Sequence, residues 1–203
     1  MSALPPGAAA ILGEAARSLQ SVVSLAGIVE RAAAVVTQAL REGGKVFFCG
    51  NGGSSADAQH LAGEFLGRFL IERPSWAAIA LPANVAAMTA IANDYGYDEV
   101  FARPLRGLGR RGDVLIGIST SGRSANVLKA FTAAREIGVH SIGLTGAGES
   151  PMDTLADLVI RAPATSTPRI QEMHIVIGHT ICQIVEADLT GADETGGKAR
   201  GNT

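Results

Sequence analysis

Apolar positions recur along this chain with two different periods. Between residues 8 and 42 they fall at helical spacing: Ile11, Leu12, Ala15, Leu19, Val22 and Val23, then Ile28, Ala32, Val35, Val36 and Leu40. Gly27 is the expected break between two helices, and Gly43-Gly44 the end of the second. From Val46 the pattern changes to short apolar runs. Val46–Cys49, Trp76–Leu81, Asp113–Ser119, His140–Leu144 and Asp157–Arg161 read as five strands. Helical segments are predicted between and after them: about Ser55 to Leu70, Val85 to Ala92, Tyr97 to Leu108, Ala125 to Ile137, and a last helix from about Pro168. Strands alternating with helices predict βαβ units in a parallel sheet. The expected fold is α/β, a five-stranded parallel sheet flanked by helices and preceded by N-terminal helices. Residues 1–190 read as one domain. Residues 191–203 are rich in Gly, Thr, Asp and Lys and are expected to form a disordered tail.

Composition narrows the function classes. The chain has 203 residues, 47% hydrophobic and 18% charged, which is long enough for a full core. A net charge of −2 gives no electrostatic case for nucleic acid or an anionic membrane. Cys49 and Cys182 both lie in apolar segments and read as buried thiols in a reducing compartment. The start, Met1-Ser2-Ala3-Leu4-Pro5-Pro6, lacks the pattern of a secretion signal. No apolar run reads as long enough to span a membrane, so a cytoplasmic protein is expected.

Two loops carry candidate chemistry. The first, Gly50-Asn51-Gly52-Gly53-Ser54-Ser55, joins the first strand to a helix, with Ser54, Ser55 and Asp57 as candidate helix caps. It is neither a dinucleotide fingerprint, since Ser55 stands where a third glycine is needed, nor a Walker A loop. The second loop offers Ser119, Thr120, Ser121 and Ser124 at the end of the third strand. Free N–H groups, hydroxyls and a helix N-terminus without a lysine suit a phosphomonoester. Ligands of parallel sheets bind at this edge. The bland alternative for the hydroxyls is helix capping, which needs one or two of them and not four.

The helix after the first loop carries His60 and Glu64 at i, i+4, so they share a face. Such a pair suits metal binding or proton transfer. Gln171, His174 and His179 on the last helix are further candidates. Gln171 and His179 lie about 80° apart around that helix, and Gln171 and His174 about 60° apart on the other side. Periodicity does not choose between the two histidines.

Together, Gly50-Asn-Gly-Gly-Ser54, the pair His60 and Glu64, Ser119-Thr-Ser-Gly122 with Ser124, and Arg169-Ile-Gln-Glu-Met-His174 resemble the sugar isomerase (SIS) domain family. The similarity runs from the N-terminal helices to about Leu189. It implies a flavodoxin-like, doubly wound sheet and a homotetramer with sites at subunit interfaces. More narrowly, it implies interconversion of D-sedoheptulose 7-phosphate and D-glycero-D-manno-heptose 7-phosphate, the first step towards nucleotide-activated heptose. It also implies one zinc ion per subunit, held by His60, Glu64, Gln171 and His179. Substrate contacts then fall on Asn51, Gly52, Gly53, Glu64, Asn93, Asp94, Ser119, Thr120, Ser121, Ser124 and Gln171. Isomerisation through an enediol needs a base and a proton donor, and Glu64 and His179 are the expected catalytic pair. Arg123 departs from relatives, which often carry a small amide there, and is expected to point outward. Two rival readings stay open. One is a non-catalytic SIS protein that binds a replication-initiation protein. The other is a different sugar-phosphate aldose–ketose isomerase.

Overall fold

A computed structural model describes residues 7–191. The expected tail therefore lies, from residue 192 on, outside the described residues. Five strands form one all-parallel sheet in the order β2-β1-β3-β4-β5: β1 Val46–Gly50, β2 Ala78–Ala80, β3 Val114–Ile118, β4 His140–Thr145 and β5 Leu158–Arg161. Chain order reverses between β1 and β3, which pair from Val46↔Val114 to Gly50↔Ile118. That reversal is the switch point where a doubly wound sheet opens a ligand crevice.

Each strand alternates its side chains between two helical layers. Val46, Phe48, Val114, Ile116, Ile142 and Leu144 point to one face. There they meet α2 (Ala26–Arg41), α3 (Gly53–Leu66) and α8 (Thr167–Thr190). Phe47, Cys49 and Leu115 point to the other face and meet α5 (Ala102–Leu108) and α6 (Ala125–Ile137). Burial on both faces explains why β1 and β3 read as unbroken apolar runs. Cys49 and Cys182 are buried and unpaired, and burial pushes the Cys182 thiol up to about 12.

Several boundaries differ from expectation. The N-terminal break is a 3-10 turn at Val22–Leu25, after α1 (Ala8–Ser21), while Gly27 lies inside α2. The hydroxyls of Ser21 and Ser24 donate back to the carbonyls of Ser18 and Ser21, which competes with the helical ladder at that point. The helix after β2 runs on as α4 (Val85–Tyr95), so Asn93 and Asp94 belong to its last turn. The expected helix 97–108 is a 3-10 turn at Tyr97–Glu99 followed by α5. A short α7 (Met152–Leu155) precedes β5.

The helical stretch Ala8–Arg41 is, by length and composition, long and apolar enough to cross a bilayer, contrary to expectation. Its second half directs that apolar surface inward: Val29, Ala32, Ala33, Val36 and Ala39 are buried in the core beneath α8. Its first half buries nothing fully, and Leu12 and Val23 are largely exposed.

Candidate active site

The two candidate loops leave the C-terminal ends of the adjacent strands β1 and β3. In the first, Gly52 caps α3 with φ 57°, a left-handed value that glycine adopts without strain. No side chain caps α3, so Ser54, Ser55 and Asp57 do not play the expected role. The helix simply starts earlier than the polar residues suggested.

In the second loop the hydroxyls of Ser119 and Ser124 are 2.9 Å apart, and those of Ser119 and Ser121 3.5 Å apart. Ser124 is the N-cap residue of α6, yet its side chain makes no capping bond. Capping therefore does not account for this hydroxyl. Three hydroxyls and the first turn of a 13-residue helix converge on one place. Arg123 is exposed and donates to the Glu149 carbonyl at 2.9 Å.

Asn126 ties the two loops together. Its buried amide exchanges hydrogen bonds with Asn51, donating at 2.8 Å and accepting at 2.9 Å. Tyr97 donates its hydroxyl to the same Asn51 oxygen at 3.0 Å. Neither Asn126 nor Tyr97 was singled out in the sequence. Their partner lies too far along the chain for spacing to show it.

Beside the first loop, α3 and α8 cross closely. A side chain at Gly178 would strike Leu61, so glycine permits the approach. The crossing brings His179 to the face that carries His60 and Glu64. The Nε2 atoms of His60 and His179 lie 2.8 Å apart, and His60 Nε2 is 3.4 Å from a Glu64 oxygen. One donor atom from each of the three lies within 4.8 Å of the others. Gln171 packs its amide against Gly53 at the start of α3. Asp57, one turn before His60, keeps one carboxylate oxygen buried without a partner. Burial raises its pKa above the ordinary range, against the opposing pull of His60 and His179.

His174 faces elsewhere. It is fully buried, and its Nε2 lies 3.1 Å from the Thr145 carbonyl, so that nitrogen carries the proton and donates it. Burial holds its pKa down at about 4. Asn93 and Asp94 are exposed and bonded to each other. Among the described residues, no hydrogen bond joins their side chains to the rest of the site.

The sequence pattern of the SIS domain matches residues 12–146. The phosphoheptose isomerase of Rhodospirillum rubrum is 58% identical over 161 residues, 79% of this chain and 86% of that protein. The chain belongs to the phosphoheptose isomerase branch of the SIS domain family. A second phosphoheptose isomerase, from Akkermansia muciniphila, is 46% identical over 87% of this chain and 93% of its own length. The solved phosphoheptose isomerase of Neisseria gonorrhoeae superposes with a TM-score of 0.83 at 43% identity, covering 88% of this chain and 96% of that one.

Proposed function

We infer that this chain is an isomerase that interconverts D-sedoheptulose 7-phosphate and D-glycero-D-manno-heptose 7-phosphate. The observation that carries the reading is the His60–Glu64–His179 group on the helix that follows the first loop and on α8, in a chain whose hydroxyl loop leaves the neighbouring strand β3 and which is 58% identical to a phosphoheptose isomerase. Ser119, Thr120, Ser121 and Ser124, with the first turn of α6, hold the phosphate by hydrogen bonds. Asn51, Gly52, Gly53, Asn93, Asp94 and Gln171 hold the sugar hydroxyls.

Two imidazoles and a carboxylate are a donor set that suits zinc, and Gln171, whose amide packs at the start of α3, would serve as the fourth donor by turning towards them. Bound there, zinc would polarise the sugar oxygens as a Lewis acid and fix their geometry. Glu64 takes a proton from C1 of the ketose while His179 gives one to the oxygen on C2, producing the enediol. His179 then removes the proton from the C1 hydroxyl, and Glu64 returns its proton to C2. No proton is gained or lost over the cycle.

The active form is a homotetramer with sites at subunit interfaces, working in the cytoplasm. The exposed apolar residues Leu12 and Val23 on the N-terminal segment support the assembly. The reading is tested by incubating purified protein with sedoheptulose 7-phosphate and following aldoheptose phosphate by NMR. Turnover is expected. No turnover with or without added zinc would move the chain to the binding-protein class.

A further inference from the structure

We propose that the buried pair Arg73 and Glu186 is a positioning pair that sets Glu64 and His179 in their working arrangement. The inference rests on the functional reading above. Glu186 stands seven residues after His179 on α8, two turns along and near the same face. Its side chain is 2% exposed and that of Arg73 3%, with 2.9 Å between them.

Every polar atom of the pair is engaged. One Glu186 oxygen accepts from the Phe69 N–H at 3.0 Å and from Arg73 Nε. The other accepts from the N–H groups of Leu70 at 2.6 Å and Ile71 at 3.0 Å. Arg73 donates through Nη2 to the carbonyl of Glu64 at 2.7 Å. Through Nη1 it donates to the carbonyls of Phe65, Gly67 and Pro74 at 3.0–3.1 Å. Its guanidinium lies 3.6 Å from the centre of the Trp76 ring.

Two consequences reach the site. The last carbonyls of a helix have no partner within it, and here Arg73 supplies one to α3 at Glu64 itself. The backbone that carries the Glu64 carboxylate is thereby held from a loop nine residues away. Glu186 also fixes the Phe69 backbone, and the Phe69 ring stands 5.4 Å from the His179 ring as a wall beside it. One side-chain pair thus reaches both members of the proposed acid–base couple, which sit on different helices. A buried ion pair contributes little net stability compared with apolar replacements of similar volume. Its distinctive product here is the placement of the loop and the helix end.

The test uses Glu186→Gln and the double variant Arg73→Met/Glu186→Leu, which removes the pair without stranding a charge. Three quantities are measured in each and in wild type: thermal unfolding, zinc affinity by chelator competition, and kcat and KM for sedoheptulose 7-phosphate. A cooperatively folded variant is expected to bind zinc about 10- to 100-fold more weakly, the usual scale for residues that orient ligands. Its kcat should fall by a similar factor, with KM within about threefold of wild type. The His179 ring signals in a histidine NMR spectrum should move as well, a change that loss of stability alone does not produce. Folded variants with wild-type zinc affinity, kcat and ring signals would overturn the proposal. So would the failure of both variants to fold, which assigns the pair to the fold alone. If wild type binds zinc but does not turn over the heptulose phosphate, the functional reading fails instead. Zinc affinity and the ring signals then still decide the positioning role.

Discussion

The Nε2 atoms of His60 and His179 face each other at 2.8 Å although 119 residues separate them in the chain. Two neutral imidazoles cannot both present lone pairs at that distance without repulsion. Either one ring donates a proton to the other, or a cation sits among the nitrogens and the Glu64 carboxylate. Two imidazoles and a carboxylate are a donor set that could hold such a cation.

That relationship leads to a prediction about metal content. Wild-type protein purified without chelator should carry close to one zinc per chain, and His60→Ala much less. Elemental analysis on both samples checks it, with circular dichroism to establish that the variant is folded. Equal zinc in the two proteins would count against a shared site.

The hydroxyl loop makes a prediction about affinity. If the loop holds the phosphate as proposed, Ser121→Ala and Ser124→Ala each remove a hydrogen bond to a charged group, at about 1.5–3 kcal/mol. Calorimetry with the sugar phosphate should show weaker binding in each variant. The Ser124 hydroxyl does not cap α6 but bonds the buried Ser119 hydroxyl at 2.9 Å, so its loss should cost about 1–3 kcal/mol of stability and leave the fold intact. Unchanged affinity in both would send the phosphate to the loop at Gly52 and Gly53.

His174 predicts a pH dependence of stability. Burial lowers its folded pKa to about 4, while the unfolded chain titrates near 6.5. Between those values the unfolded state binds the proton and the folded state does not, so stability falls as pH drops from 6.5 towards 4. A shift of that size corresponds to about 3 kcal/mol. Chemical denaturation across this range should show the loss in wild type and a shallower slope in His174→Leu. The variant should also start lower, because it gives up the bond to the Thr145 carbonyl. Parallel slopes in the two proteins would remove His174 as the cause.

The parts of the molecule that were readable in advance are those whose signal is local. The helix Ala125–Ile137 lies where its apolar spacing put it, and β1 and β3 read as strands because both of their faces are covered. The i, i+4 spacing put His60 and Glu64 on one face without any tertiary information. Other features depend on contacts distant in sequence. The choice between His174 and His179 as a neighbour of that pair follows from how α8 lies on the sheet, with Thr145 on one side and α3 on the other. Asn126 and Arg73 carry no periodic signal, and their partners Asn51 and Glu186 lie 75 and 113 residues away. The break expected at Gly27 fell instead at Val22–Leu25, where serine hydroxyls bond back to the backbone. A glycine inside a helix costs only about 1 kcal/mol, which the packing of α2 on the core outweighs.

The sharpest prediction concerns Glu64, whose carboxylate can be a metal ligand, a base, or both. Glu64→Gln keeps the size of the side chain and can still offer an oxygen to a cation, but it cannot accept a proton at neutral pH. If Glu64 serves only as a ligand, the variant retains substantial activity as long as zinc stays bound. If it is the base, the rate falls by the contribution of general-base catalysis, about 10²- to 10⁴-fold. We expect the second outcome. Two readouts on one sample separate the roles: zinc content, and exchange of the substrate's C1 or C2 hydrogen with deuterated water. Exchange reports proton abstraction directly, even where product release is slow. Retained zinc with lost exchange supports the base assignment. Retained zinc with normal exchange overturns it and makes His179 the leading base, because its ring stands at the same group and belongs to the other helix. If zinc is lost, the same pair of measurements on His179→Gln decides which of the two residues takes the proton.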